Sequence, residues 1–284
     1  MVKLIECPRD AMQGLHDFIP TDVKVDYINQ LLKVGFDTID FGSFVSPKAI
    51  PQLRDTADVL NQLDIENSSS KLLAIIANKR GAEDAVKFEE IDYLGFPFSV
   101  SETFQKRNTN ATIDQSLTRV EEIQKLCVKH NKKLVVYLSM AFGNPYEDPW
   151  DVDIVAKWSE VLYGQLDINI LALSDTIGVS APDNIDYLFK NLIQAFPNVE
   201  FGAHLHSTFE SAEEKVGAAI QAGCTRFDGA IKGFGGCPMA DDELVGNMPT
   251  EIMLNYFSNQ NIKTTINKNE FQRAEQLAGS VFPI

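Results

Sequence analysis

Two histidines stand two residues apart in the segment FGAHLHST, residues 201–208. Alternate residues of a β-strand point to the same face, so His204 and His206 would project side by side from one strand. Two imidazoles at this spacing can bind one metal ion. The same pair could instead be hydrogen-bonded inside an ordinary sheet, so the pattern alone leaves both interpretations open.

Other residues capable of chemistry follow the apolar runs of the chain. They are Arg9, Asp10 and Gln13 after the first run, Asp40 within the second, Asp175 after the sixth, and Cys237 and Asn247 after the last. A carboxylate buried in a strand costs on the order of several kcal/mol unless it is paired, so Asp40 needs a partner. Asp175 could be a turn or helix-capping residue instead, and Cys237 a buried, inert thiol.

Asp10 and Asn247 could complete a metal site with the two histidines. Two imidazoles, a carboxylate and an amide form a mixed nitrogen and oxygen set with room for water or substrate. Such a set suits octahedral Mg²⁺ or Mn²⁺ better than structural Zn²⁺, although it does not exclude zinc. The bound cation would polarise a carbonyl or hydroxyl oxygen of a substrate.

The elements that must position these residues alternate between strand and helix patterns. Eight short apolar runs are typical of buried parallel strands: VKLIEC, TIDFGSF, KLLAIIA, IDYLGFPF, KLVVYLSMAF, INILALSD, EFGAHLH and TRFDGAI. They predict an α/β fold, a closed (β/α)₈ barrel forming a single domain over residues 1–284 with a short C-terminal helical extension. An open doubly wound sheet is the alternative, although no G-x-G-x-x-G follows the first run.

Composition excludes several classes of protein. The formal net charge of −15 makes nucleic acid an improbable partner. The N-terminal segment becomes charged too early for a signal peptide, and no apolar run is long enough to span a membrane. The four cysteines show no CxxC spacing, which argues against a zinc knuckle and favours a reducing, cytoplasmic location.

Six motifs in order resemble the 3-hydroxy-3-methylglutaryl-CoA (HMG-CoA) lyase family, a group of metal-dependent (β/α)₈ barrels. They are CPRDAMQG, GSFVSPKAIPQL, LSMAFGNPYED, LSDTIGV, AHLHSTF and KGFGGCP followed by GN. They extend over essentially the whole chain. The resemblance implies a metal-assisted retro-Claisen cleavage of HMG-CoA, or of a close 3-hydroxyacyl-CoA, to acetyl-CoA and acetoacetate.

The resemblance also implies roles for individual residues. Four match the metal ligands of the family: Asp10, His204, His206 and Asn247. Arg9 matches the arginine that stabilises the enolate, and Cys237 matches the cysteine of the catalytic loop, which is suited to return a proton to the carbanion. Asp40, Asp175 and the ligands Asp10 and His204 join the expected catalytic set. Substrate binding is expected from Arg9, Gln13 and Asn144.

The sequence departs from the family pattern near these positions. Asp40 stands where the lyases usually carry Glu, and Ser207 follows the second histidine where Asp is usual. Ala11 and Met12 replace the usual Gly-Leu, and the stretch CPMADDELVGN is one residue longer than the usual loop. The fold and the metal are therefore more secure expectations than the exact acyl-CoA.

Two other functions remain open from the sequence. A condensing synthase of the same superfamily would join acetyl-CoA to a 2-oxo acid, but Cys237 in GGCP and the lack of a large C-terminal extension favour the lyase. A non-catalytic barrel that binds an acyl-CoA or another metabolite is motivated by Asp40 and Ser207. Retention of the metal ligands, Arg9 and Cys237 argues against it. Family analogy also predicts a homodimer.

Overall fold

The computed structural model describes residues 1–236 and 245–282. Strands and helices alternate along these ranges. The strands are β1 Lys3–Glu6, β2 Thr38–Ser43, β3 Lys71–Ile75, β4 Ile91–Ser99, β5 Lys133–Ser139, β6 Ile170–Ser174, β7 Glu200–His204, β8 His206–Ser207, β9 Arg226–Gly229 and β10 Gly246–Asn247. The helices are α1 Pro8–Gln13, α2 Thr21–Leu32, α3 Thr56–Leu60, α4 Lys79–Ala85, α5 Glu102–Thr109, α6 Ile113–Lys129, α7 Val152–Glu160, α8 Pro182–Ala195, α9 Phe209–Gln221, α10 Thr250–Asn259 and α11 Lys268–Val281.

Within the described ranges, eight parallel strands form a closed barrel in the order β1-β2-β3-β4-β5-β6-β7-β9. β9 pairs with both β7 and β1 and so closes the ring. The (β/α)₈ barrel predicted from the eight apolar runs is confirmed. In a parallel barrel the carboxyl ends of all the strands meet at one rim, which is where residues far apart in sequence can share a site.

The apolar strands bury both faces. Alternate side chains fill the inside of the barrel: Leu73, Ile75, Tyr93, Val135, Tyr137, Ile170 and Ala172. The intervening residues, such as Leu72, Phe96 and Leu171, pack outward in a larger cluster beneath the helices. Two-sided burial explains why the strand runs are almost continuously apolar.

Helix α10 follows β9 and completes the ring of helices around the barrel, and helix α11 forms the predicted C-terminal extension. α11 covers α2, where Phe271 meets Phe36 at a ring-centroid distance of 6.4 Å. Just after α11, the ring of Phe282 lies 5.6 Å from that of Tyr27. No helix in the described part of the chain is both long enough and apolar enough to cross a membrane.

The prediction that His204 and His206 share one strand is wrong. β7 ends at His204, and His206 belongs to the short strand β8, which pairs antiparallel with β10. His206 lies opposite Asn247 in this two-stranded ladder. The chain leaves the barrel's hydrogen bonding because β10 offers an alternative partner at the rim. The two histidines nevertheless stay close, with ring centroids 5.6 Å apart.

Candidate active site and metal centre

Arg9 and Asp10 reach the rim because α1 begins directly after β1. Pro8 occupies the first helical turn, where its missing N–H removes no hydrogen bond. Arg9 Nη1 donates to Asp10 Oδ1 at 2.6 Å and to Gln13 Oε1 at 3.0 Å. Gln13 Nε2 donates back to Asp10 Oδ1 at 2.7 Å. One short helix therefore fixes three of the predicted site residues against one another.

Asp40 has the partner that its sequence context required. Arg9 Nε donates to Asp40 Oδ2 at 3.0 Å, and Arg9 Nη2 also donates to this carboxylate. Asp40 is fully buried. Burial raises the pKa of Asp40 to about 6, although Arg9 opposes the shift. The carboxylate is thus ionised at neutral pH and holds the guanidinium in a fixed plane.

Asp10, His204 and His206 form a group of side chains that could hold a metal ion. One ligand atom from each lies within 4.8 Å of the others. Burial raises the pKa of Asp10, but Arg9 and the two histidines outweigh it and the net pKa is lowered. Burial and then His204 lower the pKa of His206 to about 4. An ionised carboxylate and a neutral imidazole are the protonation states that a cation needs.

Asp228 orients His204 and was missed by the sequence analysis. Its Oδ2 lies 3.1 Å from His204 Nδ1, and it sits opposite His204 in the register of β7 and β9. Burial lowers the pKa of His204, but the contact with Asp228 outweighs it and the net pKa is raised. The signal was present in the run TRFDGAI, since an aspartate inside an apolar strand needs a partner as much as Asp40 does.

Asn247 joins the group through the β8–β10 ladder. Its Nδ2 donates to Asp10 Oδ2 at 2.8 Å and to the Phe234 carbonyl at 2.9 Å. Gly235, at φ +88°, passes so close that an added Cβ would lie 2.8 Å from Asn247 Nδ2, so only glycine fits there. With the amide nitrogen used in this way, the amide oxygen is the atom that could bind a cation.

Asp175 lies behind the histidines in a hydrogen-bonded turn. Its Oδ2 accepts bonds from the N–H and hydroxyl of Ser180, and Lys215 Nζ lies 3.2 Å away. Lys215 also donates to the backbone carbonyl of His206 at 2.8 Å. The arrangement matches the turn role that the sequence left open for Asp175, and it braces the segment that carries His206.

One predicted site residue, Asn144, is not brought to the group. The amide of Asn144 is used within its own loop, where Oδ1 accepts from Tyr146 and Asp148 N–H and Nδ2 donates to the Asp148 carbonyl. Asn144 is not among the residues that line the cavity, and its role in substrate binding stays a prediction. Cys237 lies outside the described residues.

A cavity of about 310 Å³ opens above these side chains. Arg9, Asp10, Gln13, His204 and His206 form its polar floor. Its other walls are largely apolar, with some hydroxyl and amide groups: Val45, Ala49, Ile50, Ile75, Ala77, Pro97, Phe104, Asn108, Thr109, Tyr137, Ser139, Ser174 and Thr176. A few polar groups at one end of an apolar cavity are typical of a small-molecule site.

The residues present fit a divalent cation. Nε2 of His206 is buried and has no hydrogen-bond partner among the residues that the structure describes. An unpaired buried nitrogen of this kind costs about 1–3 kcal/mol, and coordination would remove that cost. The adjacent ionised Asp10 would supply the compensating negative charge.

Comparison with known proteins assigns the chain and its fold to one family. Residues 2–278 match the HMGL-like family model. The hydroxymethylglutaryl-CoA lyase of Bacillus subtilis is 35% identical over 91% of this chain and 85% of its own. A human cytoplasmic 3-hydroxy-3-methylglutaryl-CoA lyase is 31% identical over 94% of this chain and 71% of its own.

Solved structures give the same result. The crystal structure of the B. subtilis HMG-CoA lyase superimposes with a TM-score of 0.91 at 33% identity, covering 98% of this chain and 93% of that one. An HMG-CoA lyase from Acinetobacter baumannii in complex with coenzyme A and 3-methylmalate gives a TM-score of 0.90 at 30% identity, covering 99% and 91%.

Proposed function

Because the chain belongs to the HMGL-like family, we propose that it is a carbon–carbon lyase that cleaves HMG-CoA to acetyl-CoA and acetoacetate. The observation that carries the proposal is the meeting of Arg9 with Asp10, His204 and His206 at the floor of one cavity. We treat residues 1–284 as one catalytic barrel domain, in which all of these groups belong to a single site.

Arg9 is held ready to stabilise the enolate. A guanidinium has five N–H donors, and the bonds to Asp40, Asp10 and Gln13 use four of them. The remaining N–H is on Nη2, and Arg9 lines the cavity. A donor fixed before the reaction can stabilise the developing thioester enolate without reorganising, which is the most effective form of electrostatic catalysis.

The cation would be held by Asp10, His204 and His206, with Asn247 as the fourth protein ligand. When bound, it would polarise the tertiary hydroxyl of the substrate and make its proton easier to remove. We assign the acceptance of that proton to Asp10, which lines the cavity and stays ionised. Cys237 returns a proton to the enolate carbon when the C–C bond has broken, as the family resemblance implies.

Three finer expectations extend the proposal. Mg²⁺ or Mn²⁺ is the preferred cation rather than Zn²⁺, because the donor set contains carboxylate and amide oxygens. The protein works as a homodimer in the cytoplasm, as the family analogy and the cysteine pattern predict. Asp40, Ser207 and the longer CPMADDELVGN stretch leave room for a 3-hydroxyacyl-CoA related to HMG-CoA as the preferred substrate.

The relatives favour the lyase over the two alternatives. The B. subtilis and human proteins are both HMG-CoA lyases, and this chain covers most of each. A condensing synthase would require net synthesis from acetyl-CoA and a 2-oxo acid. A non-catalytic barrel would have no use for an arginine with a free N–H beside a cation site.

The proposal is tested by following acetoacetate released from HMG-CoA by metal-depleted protein, with and without added Mg²⁺ or Mn²⁺. Release that depends on the cation and is lost on chelation is the expected result. Absence of acetoacetate with every cation would overturn the lyase. Consumption of acetyl-CoA in the presence of a 2-oxo acid, in a parallel assay, would establish the synthase instead.

A further inference from the structure

A second group of metal-type side chains lies behind His204. The Cys7 sulfur, a ring nitrogen of His204 and a carboxylate oxygen of Asp228 all lie within 4.8 Å of one another. Cys7 and Asp228 are both buried. Asp228 contacts Nδ1 of the shared histidine. This group, which we call the Cys7 group, therefore lies on the Nδ1 side of the His204 ring.

Polar atoms beside the Cys7 group are not satisfied by the described part of the chain. Oδ1 of Asp228 and the hydroxyl of Tyr137 are buried without a hydrogen-bond partner there. Tyr137 packs edge-on against His204, with ring centroids 5.3 Å apart. Cys7 itself makes only a weak 3.9 Å contact with the Ile5 carbonyl. The buried guanidinium of Arg226, whose Nε and Nη2 are also unpaired among the described residues, interacts electrostatically with Asp228 and Tyr137. Each unpaired oxygen costs about 1–3 kcal/mol, so a group that pairs with it would be stabilised.

The donor types distinguish the Cys7 group from the group formed by Asp10, His204 and His206, which we call the Asp10 group. A sulfur with an imidazole and a carboxylate is a set that Zn²⁺, Co²⁺ and Cd²⁺ accept, whereas a thiolate is a poor ligand for Mg²⁺. We propose that Cys7, His204 and Asp228 form a second cation position that takes thiophilic divalent ions. On binding, the Cys7 thiol gives its proton to solvent and the thiolate becomes a ligand.

A cation bound to the Cys7 group would weaken the binding of a second cation to the Asp10 group. A cation on Nδ1 replaces the contact between His204 and Asp228, which holds the ring in its orientation toward Asp10. Thiophilic ions would therefore lower the affinity for Mg²⁺ or Mn²⁺, and by linkage Mg²⁺ would weaken their binding equally. This inference does not depend on which acyl-CoA is cleaved, because it concerns binding of the metal alone.

Cobalt gives a direct test, because a thiolate bound to Co²⁺ produces a near-ultraviolet charge-transfer band that oxygen and nitrogen ligands do not. Metal-free protein is titrated with Co²⁺, and the same titration is run on Cys7→Ser, Cys7→Ala, Cys237→Ser and Cys127→Ser. The band is expected in the wild type, in Cys237→Ser and in Cys127→Ser, and not in either Cys7 variant. Cys127, a buried cysteine on α6, is the matched control for loss of a thiol.

Competition supplies the second measurement. The Zn²⁺ concentration that displaces half of the bound Mn²⁺, followed by the Mn²⁺ resonance signal, should rise about 10- to 100-fold in Cys7→Ser. X-ray absorption of Zn²⁺-loaded Cys237→Ser should show sulfur at about 2.3 Å, and this measurement needs no Cys7 variant to fold. Absence of sulfur there, or a cobalt band that survives in Cys7→Ala, overturns the proposal.

Discussion

Two buried carboxyl groups on neighbouring strands face opposite sides of the barrel wall. Asp40 on β2 points inward and pairs with Arg9, while Glu6 on β1 points outward beneath α10. Among the described residues, Glu6 accepts neutral hydrogen bonds alone, from the Ile231 N–H at 2.8 Å and the Thr250 hydroxyl at 2.7 Å. Burial raises the pKa of Glu6 to about 8, against about 6 for Asp40.

The difference in pKa separates a buried carboxyl that belongs to the candidate site from one that stabilises the fold. The interior carboxyl keeps its charge because a guanidinium compensates for the lost hydration, and that charge fixes Arg9 in the lining of the cavity. The exterior carboxyl is neutral at pH 7 and joins β1 to the two segments that follow β9. A buried acid is therefore not by itself a sign of catalysis, since its partner decides its role.

The largest loss of activity and of stability is expected from a substitution on the inner side of the barrel wall. Arg9→Met removes the enolate donor and leaves two buried carboxylates without their cation. We expect kcat to fall by about 10²–10³-fold and the free energy of unfolding to drop by about 3–5 kcal/mol. Steady-state kinetics and urea unfolding measure the two effects. A kcat within a few fold of the wild type would show that Arg9 is structural only.

On the outer side, Glu6→Gln should change stability rather than chemistry. The folded pKa of Glu6 is above its ordinary value of 4.5, so the neutral form stabilises the fold below about pH 4.5 and this stability is lost as the pH rises through about 8. Glutamine stays neutral. The stability of the variant relative to the wild type should therefore increase with pH, by on the order of 4 kcal/mol between pH 5 and pH 9.

Urea unfolding of both proteins at several pH values tests this expectation, since the other titrating groups cancel in the difference. A difference that is constant with pH would mean that Glu6 is ionised in the folded protein. The contrast with Asp40 would then disappear.

Asp228→Asn sharpens the comparison within the inner side. Loss of the Asp228 carboxylate should leave His204 less well oriented and lower the affinity for Mn²⁺ by about 10- to 100-fold. Calorimetric titration of metal-free protein measures the change. Glu6→Gln is the matched control, because its carboxyl lies on the other side of the wall and should leave Mn²⁺ affinity unaltered. Equal losses in both variants would indicate general unfolding instead of a local role for Asp228.

The smallest effect is expected from Thr250→Val. The substitution keeps the shape of the side chain and removes one hydrogen bond to Glu6, which should cost about 1 kcal/mol of unfolding free energy. The same change should raise the pKa of Glu6 further, because the Thr250 hydroxyl lowers it. A double-mutant cycle with Glu6→Leu, which removes the acceptor, isolates the pair, and additive free energies would show that the two side chains do not interact.

The barrel could be predicted from the sequence because each strand carries its own signal in its apolar run. The need of Asp40 for a partner was equally local, since a charged residue between Ile39 and Phe41 implies compensation. The identity of that partner could not be predicted from the local sequence, because Arg9 reaches Asp40 only when β1 and β2 are adjacent.

Other features depended on tertiary contacts that no local pattern contains. The break between His204 and His206 arises from pairing with β10, about forty residues further along the chain. Glu6 looked like an ordinary polar residue at the edge of an apolar run, and the partner of Asp228 could not be identified from the run that contains it. Their roles depend on whether the side chain points into the barrel or toward the helices, which a one-residue change of register would reverse.

The two-residue ladder between β8 and β10 also limits how the connecting segment can change in evolution. Asn247 faces His206 across that ladder and reaches Asp10 with its amide. A slip of one residue would turn this amide to the opposite face. Insertions and deletions between β9 and β10 must therefore fall before Gly246 if the hydrogen bond between Asn247 and Asp10 is to be kept.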